Sequence, residues 1–314
     1  MNLLKECEGA KSIGISGHIR PDGDCVGACL SLYQYLTKCL PDAEVKVFLE
    51  KPADIFSELK GFDKIDSSFQ QEPDFDVFFA LDCTPDRLGD AEKYFAAAKK
   101  KINIDHHVTN SGCGDINYIF PKVGSTCELI YDLVEADKLD RDIAVAIYTG
   151  IIHDTGVFQY SNTTPDTLKK AAHLISFGFD FPRLIEETFY QKTYVQSQIA
   201  GRAMMESVRF LDGRCIVSVI DKKTMDFYGV DSHDFEGIVN QLRNIKGVDC
   251  AIFMYETNTL EYKVSLRSNE KVDVAKVVSY FGGGGHMRAA GCTMKGTFHD
   301  CVNNLSLHIE EQLC

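Results

Sequence analysis

The chain has 314 residues, of which 45% are hydrophobic and 25% charged, with 24 glycines and 8 prolines; this is the composition of ordinary globular domains and excludes disorder, collagen or coiled coil as the main state. At about 150 residues per domain, the length predicts two domains, each with its own core. Thirty-three Lys and Arg against 46 Asp and Glu leave a net charge of −13, which disfavours duplex DNA as a partner, because sequence-independent DNA binding needs many cations facing phosphates.

Residues 12–16 (SIGIS), 44–49, 76–81 and 101–104 read as strands, and 24–40 and 91–99 as helices. Strands separated by helices need crossovers, so this half predicts a mostly parallel sheet with helices on its faces. Residues 125–136, 141–152, 164–177 and 182 to about 208 then read as helices. Ser125-Thr126 and Thr164-Pro165 look like helix starts. A second alternating region places strands at 214–221, 251–256 and 261–268 and a helix at 235–243. A further helix at 272–281 runs into Gly282, Gly283, Gly284 and Gly285. The expected class is therefore α/β with two domains, residues 1–190 and a smaller 209–314, joined by a linker helix at 191–208. The aromatic cluster Phe227, Tyr228 and Phe235 is expected in the second core.

The apolar stretches near 77–81 and 144–152 fall short of the ~20 residues that span a bilayer. Residues 1–9 show no basic region feeding an apolar run, so a cytoplasmic protein with no membrane partner is expected. The twelve cysteines are scattered without a C-x-x-C pair and read as small buried hydrophobes.

His18, Asp22 and Asp24 lie in H-I-R-P-D-G-D directly after the first strand. In open α/β sheets, ligands bind outside the carboxyl ends of strands, although Pro, Asp and Gly would equally make a solvated turn. The pattern recurs, for Asp82 ends the apolar run 77–81, and Asp105, His106 and His107 end the run 101–104. A parallel sheet would gather these groups along one edge. Imidazole and carboxylate ligands without thiolate suit a hard or borderline divalent cation, and so acidic a set suits Mn²⁺ better than structural zinc. Asp154, in T-G-I-I-H-D-T-G, could simply end a helix; it joins the set because a two-ion site needs another carboxylate. Its neighbour His153 reads as a surface or satisfied histidine. In the second half, the glycines 282–285 let a backbone approach a ligand, and their N–H groups can cradle an anion. His286 and Arg288 follow them, and Arg267-Ser268 ends the strand 261–268.

In this order H-x-x-P-D-x-D, a strand-terminal Asp82, D-H-H and D-T-G resemble the DHH phosphoesterase family, and G-G-G-H-x-x-A-x-G (283–291) resembles its DHHA1 partner domain. The two together cover essentially the whole chain. The resemblance implies a DHH domain followed by a DHHA1 domain with an active-site cleft between them, and a centre of two divalent cations, foremost Mn²⁺. His18, Asp22 and Asp82 would hold one ion, and Asp24, Asp82, His106 and Asp154 the other, with Asp82 bridging. His107 would polarise the phosphate or protonate the leaving oxygen. Asp105 would orient an imidazole, with a buried structural carboxylate as the equal alternative. Arg267 and His286 would grip a phosphate or base remote from the scissile bond, with Ser268, Gly283, Gly284, Gly285 and Arg288 beside them.

The chain length is similar to the stand-alone bacterial branch of that family. This implies hydrolysis of short single-stranded RNA of two to five nucleotides and of linear dinucleotides to 5′-mononucleotides, and of 3′-phosphoadenosine-5′-phosphate (pAp) to AMP and phosphate. Specialisation for linear pApA and pGpG is the nearest alternative. A pyrophosphatase is disfavoured by the glycine-histidine segment, and a long-strand exonuclease of the RecJ type by shorter length and negative charge. A non-catalytic nucleotide sensor should have lost a metal ligand, and none is missing. A homodimer is expected only from its general frequency.

Overall fold

The computed structural model describes residues 2–72 and 74–313, and the chain divides into two compact units after Gln191. The first unit contains β1 (Ser12–Ser16), β2 (Glu44–Phe48), β3 (Ile65–Asp66), β4 (Val77–Leu81), β5 (Lys100–Asp105) and β6 (Ile116–Ile119). Its helices are α1 (Leu3–Glu6), α2 (Gly23–Cys39), α3 (Glu92–Ala97), α4 (Thr126–Leu133), α5 (Arg141–Asp154), α6 (Pro165–Ile175) and α7 (Phe181–Ile185). The strands form one sheet in the order β3-β2-β1-β4-β5-β6, and every pairing is parallel.

A parallel sheet covered on both faces needs strands that are apolar on both sides, and β4 (VFFAL) is buried at all five positions. Val77, Phe79 and Leu81 pack with α2, α4 and α5, whereas Phe78 and Ala80 join an aromatic layer of Phe48, Phe75, Tyr94 and Phe95. The order runs outward from β1 in one direction and from β4 in the other. The switch point between β1 and β4 is where such sheets open a crevice at their carboxyl ends.

The second unit contains α8 (Tyr194–Met205), β7 (Val208–Phe210), β8 (Cys215–Ile220), α9 (Lys222–Tyr228), α10 (Ile238–Arg243), β9 (Cys250–Asn258), β10 (Glu261–Ser268), α11 (Val274–Ser279), β11 (Gly284–His286), β12 (Ala289–Lys295) and α12 (Phe298–Leu313). Its sheet order is β11-β12-β10-β9-β8-β7. Only β8–β9 is parallel, and the remaining pairs are antiparallel. One face packs against Val274, Val277, Cys301, Leu305 and Ile309 of α11 and α12. The other packs against Ile199 and Ala203 of α8, Met225 of α9 and Leu242 of α10.

The structure adds β6, α9, β12 and α12 to the elements expected from the sequence, and it differs from that reading in other details. The helical stretch expected from residue 182 to about 208 is broken. A π-helical turn spans Glu186–Tyr190, and Thr193 starts α8 afresh through a reciprocal capping box with Gln196, which satisfies the free N–H groups of a new helix. The glycine run ends in regular structure, for Gly284 and Gly285 pair with β12 as an edge strand. Of the aromatic cluster, Phe235 is buried but Phe227 is 79% exposed, because α9 is short and turns only Thr224 and Met225 inward. Among the described residues eleven cysteines are free thiols, nine of them buried, and no helix is long and apolar enough to cross a membrane.

Gly14 in β1 makes room for the Phe78 ring, since a Cβ there would lie 2.3 Å from a ring carbon. Gly14→Ala is expected to cost about 1–3 kcal/mol through overpacking, read as a lower urea midpoint. Adding Phe78→Leu in the same chain is expected to recover part of that loss, because residues in contact are energetically coupled.

Candidate metal centre

Each group at the switch point is delivered by a local feature of the chain. β1 ends at Ser16, and the turn after it places His18. Asp22 then caps α2, accepting from the N–H groups of Asp24 and Cys25, the role for which a short carboxylate suits a helix start. Asp82 directly follows β4 with a left-handed φ of +58°, a conformation that costs a non-glycine residue about 1–2 kcal/mol and that clusters at functional sites. Asp105 closes β5. Asp154 is the last residue of α5, where free carbonyl groups already concentrate negative charge.

These side chains converge on Asp82. His18 Nε2 lies 3.4 Å from Asp82 Oδ2 and 3.6 Å from Asp22 Oδ1. His106 Nε2 lies 3.5 Å from Asp82 Oδ1, 3.0 Å from Asp154 Oδ2 and 4.0 Å from Asp24 Oδ2. His107 Nδ1 is 3.6 Å from Asp82 Oδ1. Three sets of potential ligand atoms follow, each within 4.8 Å: His18, Asp22 and Asp82; Asp24, His106 and Asp154; and Asp82, Asp105, His106 and His107.

The donor chemistry fits a divalent cation. His18 Nδ1 sits 2.8 Å from the carbonyl of Ile19 and His106 Nδ1 3.2 Å from that of Val123. A proton on each Nδ1 leaves the Nε2 lone pair facing the carboxylates, the arrangement usual for metal-binding histidine. Asp24 is fully buried, yet it accepts from the backbone N–H groups of Thr126 at 2.6 Å and Cys127 at 2.9 Å. Thr126 also donates its hydroxyl to Asp82 Oδ1 at 3.0 Å. Even with all three rings protonated, the five carboxylates of these sets outnumber them by two.

The electrostatics reflect that excess. Burial, then the neighbouring carboxylates of Asp82 and Asp154, push the Asp24 pKa well above the usual carboxylate range. Desolvation also raises Asp154, against the pull of His106. Burial works to lower the His18 pKa, but Cys25, Asp22 and Asp82 outweigh it and raise it to about 12. Burial likewise opposes protonation of His106, and Asp154, Asp24 and Asp82 lift it to about 10. Protons therefore take up part of the role that a cation would fill.

Asp105 has a different role. Its Oδ1 accepts from the backbone N–H of His106 at 2.7 Å and of His107 at 3.0 Å, and lies 2.7 Å from His107 Nδ1. That hydrogen bond to Asp105 is the main cause of the raised His107 pKa. His153 belongs to none of these ligand sets; it meets the Thr188 hydroxyl at 3.2 Å and packs against the rings of Phe56 and Phe189.

In the second unit, Arg267 of β10 and His286 of β11 both pair in register with Ala289 of β12. Residues in register share a face, and two strand spacings separate the outer pair by about 10 Å. They thus flank a small alanine on one side of the sheet. Ser268, expected beside them, is corrected: alternation turns it to the opposite face, where it is buried and donates to the Val272 carbonyl at 2.5 Å. Arg288 is exposed and paired with Glu270 at 2.8 Å. Gly283 lies where a Cβ would meet the Gly291 carbonyl at 2.4 Å, and Gly284 and Gly285 are exposed. Sequence reasoning passed over Thr126, whose place at a helix start was visible although its link to Asp82 was not. It also missed Asn103 and Asn110. A polar residue between Ile102 and Ile104 of a buried strand was the available signal for Asn103.

Residues 12–151 match the DHH family, N-terminal domain, and residues 212–313 match the DHHA1 domain. A Thermus thermophilus protein named bifunctional oligoribonuclease and PAP phosphatase NrnA is 30% identical over 299 residues, covering 94% of this chain and 87% of that one. A Bacillus subtilis protein of the same name is 27% identical over 282 residues, 88% of this chain and 87% of its own. The crystal structure of an exopolyphosphatase-related protein from Bacteroides fragilis superposes with a TM-score of 0.89 at 26% identity, covering 98% of this chain and 94% of that one. Fold, centre and relatives together define a phosphoesterase, a hydrolase of phosphate esters. The chain belongs to the DHH family and carries a DHHA1 domain as its second unit.

Because His18, His106 and Asp24 hold protons more tightly than usual, a cation must displace them. Mn²⁺ affinity is therefore expected to weaken as pH falls from about 8 to about 6, with proton release on binding. Calorimetric titration in buffers of different ionisation enthalpy measures that release, and a pH-independent affinity without it would contradict the assignment.

Proposed function

We propose that this protein hydrolyses dinucleotides and other very short oligoribonucleotides to 5′-mononucleotides, and pAp to AMP and phosphate, with two divalent cations, foremost Mn²⁺. The observation that carries the reading is the convergence of His18, Asp22, Asp24, His106 and Asp154 on Asp82 at the sheet's switch point. His18, Asp22 and Asp82 would hold one ion and Asp24, Asp82, His106 and Asp154 the other. When bound, such a pair activates water near neutral pH and neutralises the charge that builds up on phosphate oxygens.

The remaining work falls to the chain's own groups. Thr126 and the N–H groups at the start of α4 hold Asp82 and Asp24 in place. Asp105 keeps a proton on Nδ1 of His107, so that Nε2 faces outward and can give a proton to the leaving oxygen. In the second unit, Arg267, His286 and Arg288 with Gly283, Gly284 and Gly285 would hold a phosphate or base remote from the scissile bond. Binding energy from such a remote group favours substrates that carry it over simple esters. The names of the Thermus and Bacillus relatives support this substrate class.

The test is incubation with Mn²⁺ and a ladder of labelled RNAs from dinucleotide upward, alongside pAp, linear pApA and pGpG, and pyrophosphate. Cleavage of the shortest RNAs and pAp is expected; inertness towards all the nucleotide substrates would refute the reading. Asp82→Ala and Asp154→Ala are each expected to abolish turnover. His286→Ala is expected to raise KM roughly tenfold to a hundredfold with kcat retained, the weight of one hydrogen bond to a charged group.

A further inference from the structure

Two buried asparagines lie behind the D-H-H segment, and neither belongs to the ligand sets. Asn103 is fully buried in β5, and its Nδ2 donates to the carbonyls of Ala80 and Cys83, both at 3.0 Å. That fixes its amide orientation and leaves Oδ1 as an acceptor, which takes a hydrogen bond from Asn110 Nδ2 at 2.9 Å. Asn110 Oδ1 accepts in turn from the N–H of Gly112 at 2.8 Å, so the Asn110 amide is fixed from both ends. Its Nδ2, which also meets the Cys83 carbonyl at 3.2 Å, is thereby held against Asp105 Oδ2 at 2.6 Å.

Asp105 is consequently full. Its Oδ1 takes the N–H groups of His106 and His107 and the ring of His107, and its Oδ2 takes Asn110. A carboxylate gripped at both oxygens cannot rotate towards the cation ligands, although Asp105 lies within ligand distance of Asp82, His106 and His107. Removing the Asn110 donor would leave a buried carboxylate oxygen unsatisfied. The group would then be free to swing, and the His107 ring would lose the anchor that aims it.

We propose that Asn110 is a positioning residue for the reaction: it locks Asp105 so that Asp105 aims the outer nitrogen of His107 at the leaving oxygen. The inference deepens the preceding reading and rests on it for its chemistry. As a water oxygen bonds to phosphorus and gives up one proton to solvent, the bond from phosphorus to the leaving oxygen breaks. The proton on His107 Nε2 passes to the leaving oxygen, and solvent returns a proton to the ring. An ester whose leaving group needs no proton should therefore be indifferent to Asn110.

The test compares wild type with Asn110→Ala, each loaded with Mn²⁺, on a dinucleotide and on bis(4-nitrophenyl) phosphate, whose leaving group departs as a stable anion. Loss of a supporting hydrogen bond of this kind typically costs about tenfold to a hundredfold in activity, and here that loss is expected in kcat for the dinucleotide with KM unchanged. The nitrophenyl ester and the Mn²⁺ stoichiometry are expected to stay near wild type. Independently of any substrate, and with diamagnetic Mg²⁺ in place of paramagnetic Mn²⁺, the low-field NMR signal of the His107 Nδ1 proton in the wild type is expected to broaden or vanish in the variant. Asn110→Ser, smaller but polar, carries the same comparison if Asn110→Ala does not fold. Equal losses on both esters, or an unchanged Nδ1 signal, would overturn the inference. A wild type inert towards nucleotides but showing the Nδ1 signal that the variant loses would refute the substrate reading and leave the positioning role supported.

Discussion

The first unit is organised around an electrostatic conflict that its own residues cannot settle. Carboxylates from two strand ends, Asp82 and Asp105, and two helix ends, Asp22 with Asp24 and Asp154, are brought within 4.0 Å of three imidazoles in a largely buried space. Charge repulsion in a medium of low polarisability is expensive, and proteins tolerate it where a ligand relieves it. The strain at Asp82 and the acid at the carbonyl end of α5 belong to the same pattern. The fold holds these groups in place with backbone donors from α4 and with a sheet whose central strand is buried on both faces.

Asp24 and Asp105 show how the same residue type is directed to different tasks. Both are fully buried. Burial and the facing carboxylates of Asp82 and Asp154 raise the Asp24 pKa, against the pull of the N–H donors at the start of α4. Burial acts on Asp105 in the same direction, but His107 and Asn110 overcome it, and its pKa falls. One carboxylate is thus poised to exchange its proton for a cation, and the other stays charged to hold a ring.

Much of this was legible in the sequence because parallel strands have ends that must lie together. The run V-F-F-A-L could only be a strand covered on both faces, and the acid after it had to stand beside those that follow β1 and β5. Some of what was not legible had no periodic signal. β3 has two residues and β11 is mostly glycine, so neither carries an alternation to read. Ser268 is separated from Arg267 for a different reason: it shares the inner face of β10 with Tyr262, Val264 and Leu266, so adjacency in the chain does not place the two side by side. Asn110 sits in a loop, where only three-dimensional contact reveals a partner five residues back.

The side chains that converge at the centre are spread from His18 to Asp154, over most of the first unit. A chain still emerging from the ribosome cannot assemble them until α5 has been made and docked, so a metal ion cannot nucleate this domain early. It would act instead as a late lock, adding to stability in proportion to the logarithm of its concentration. Depletion of that ion would then lower the lifetime of the folded domain as well as its turnover, exposing the chain to proteases even where every core contact is intact.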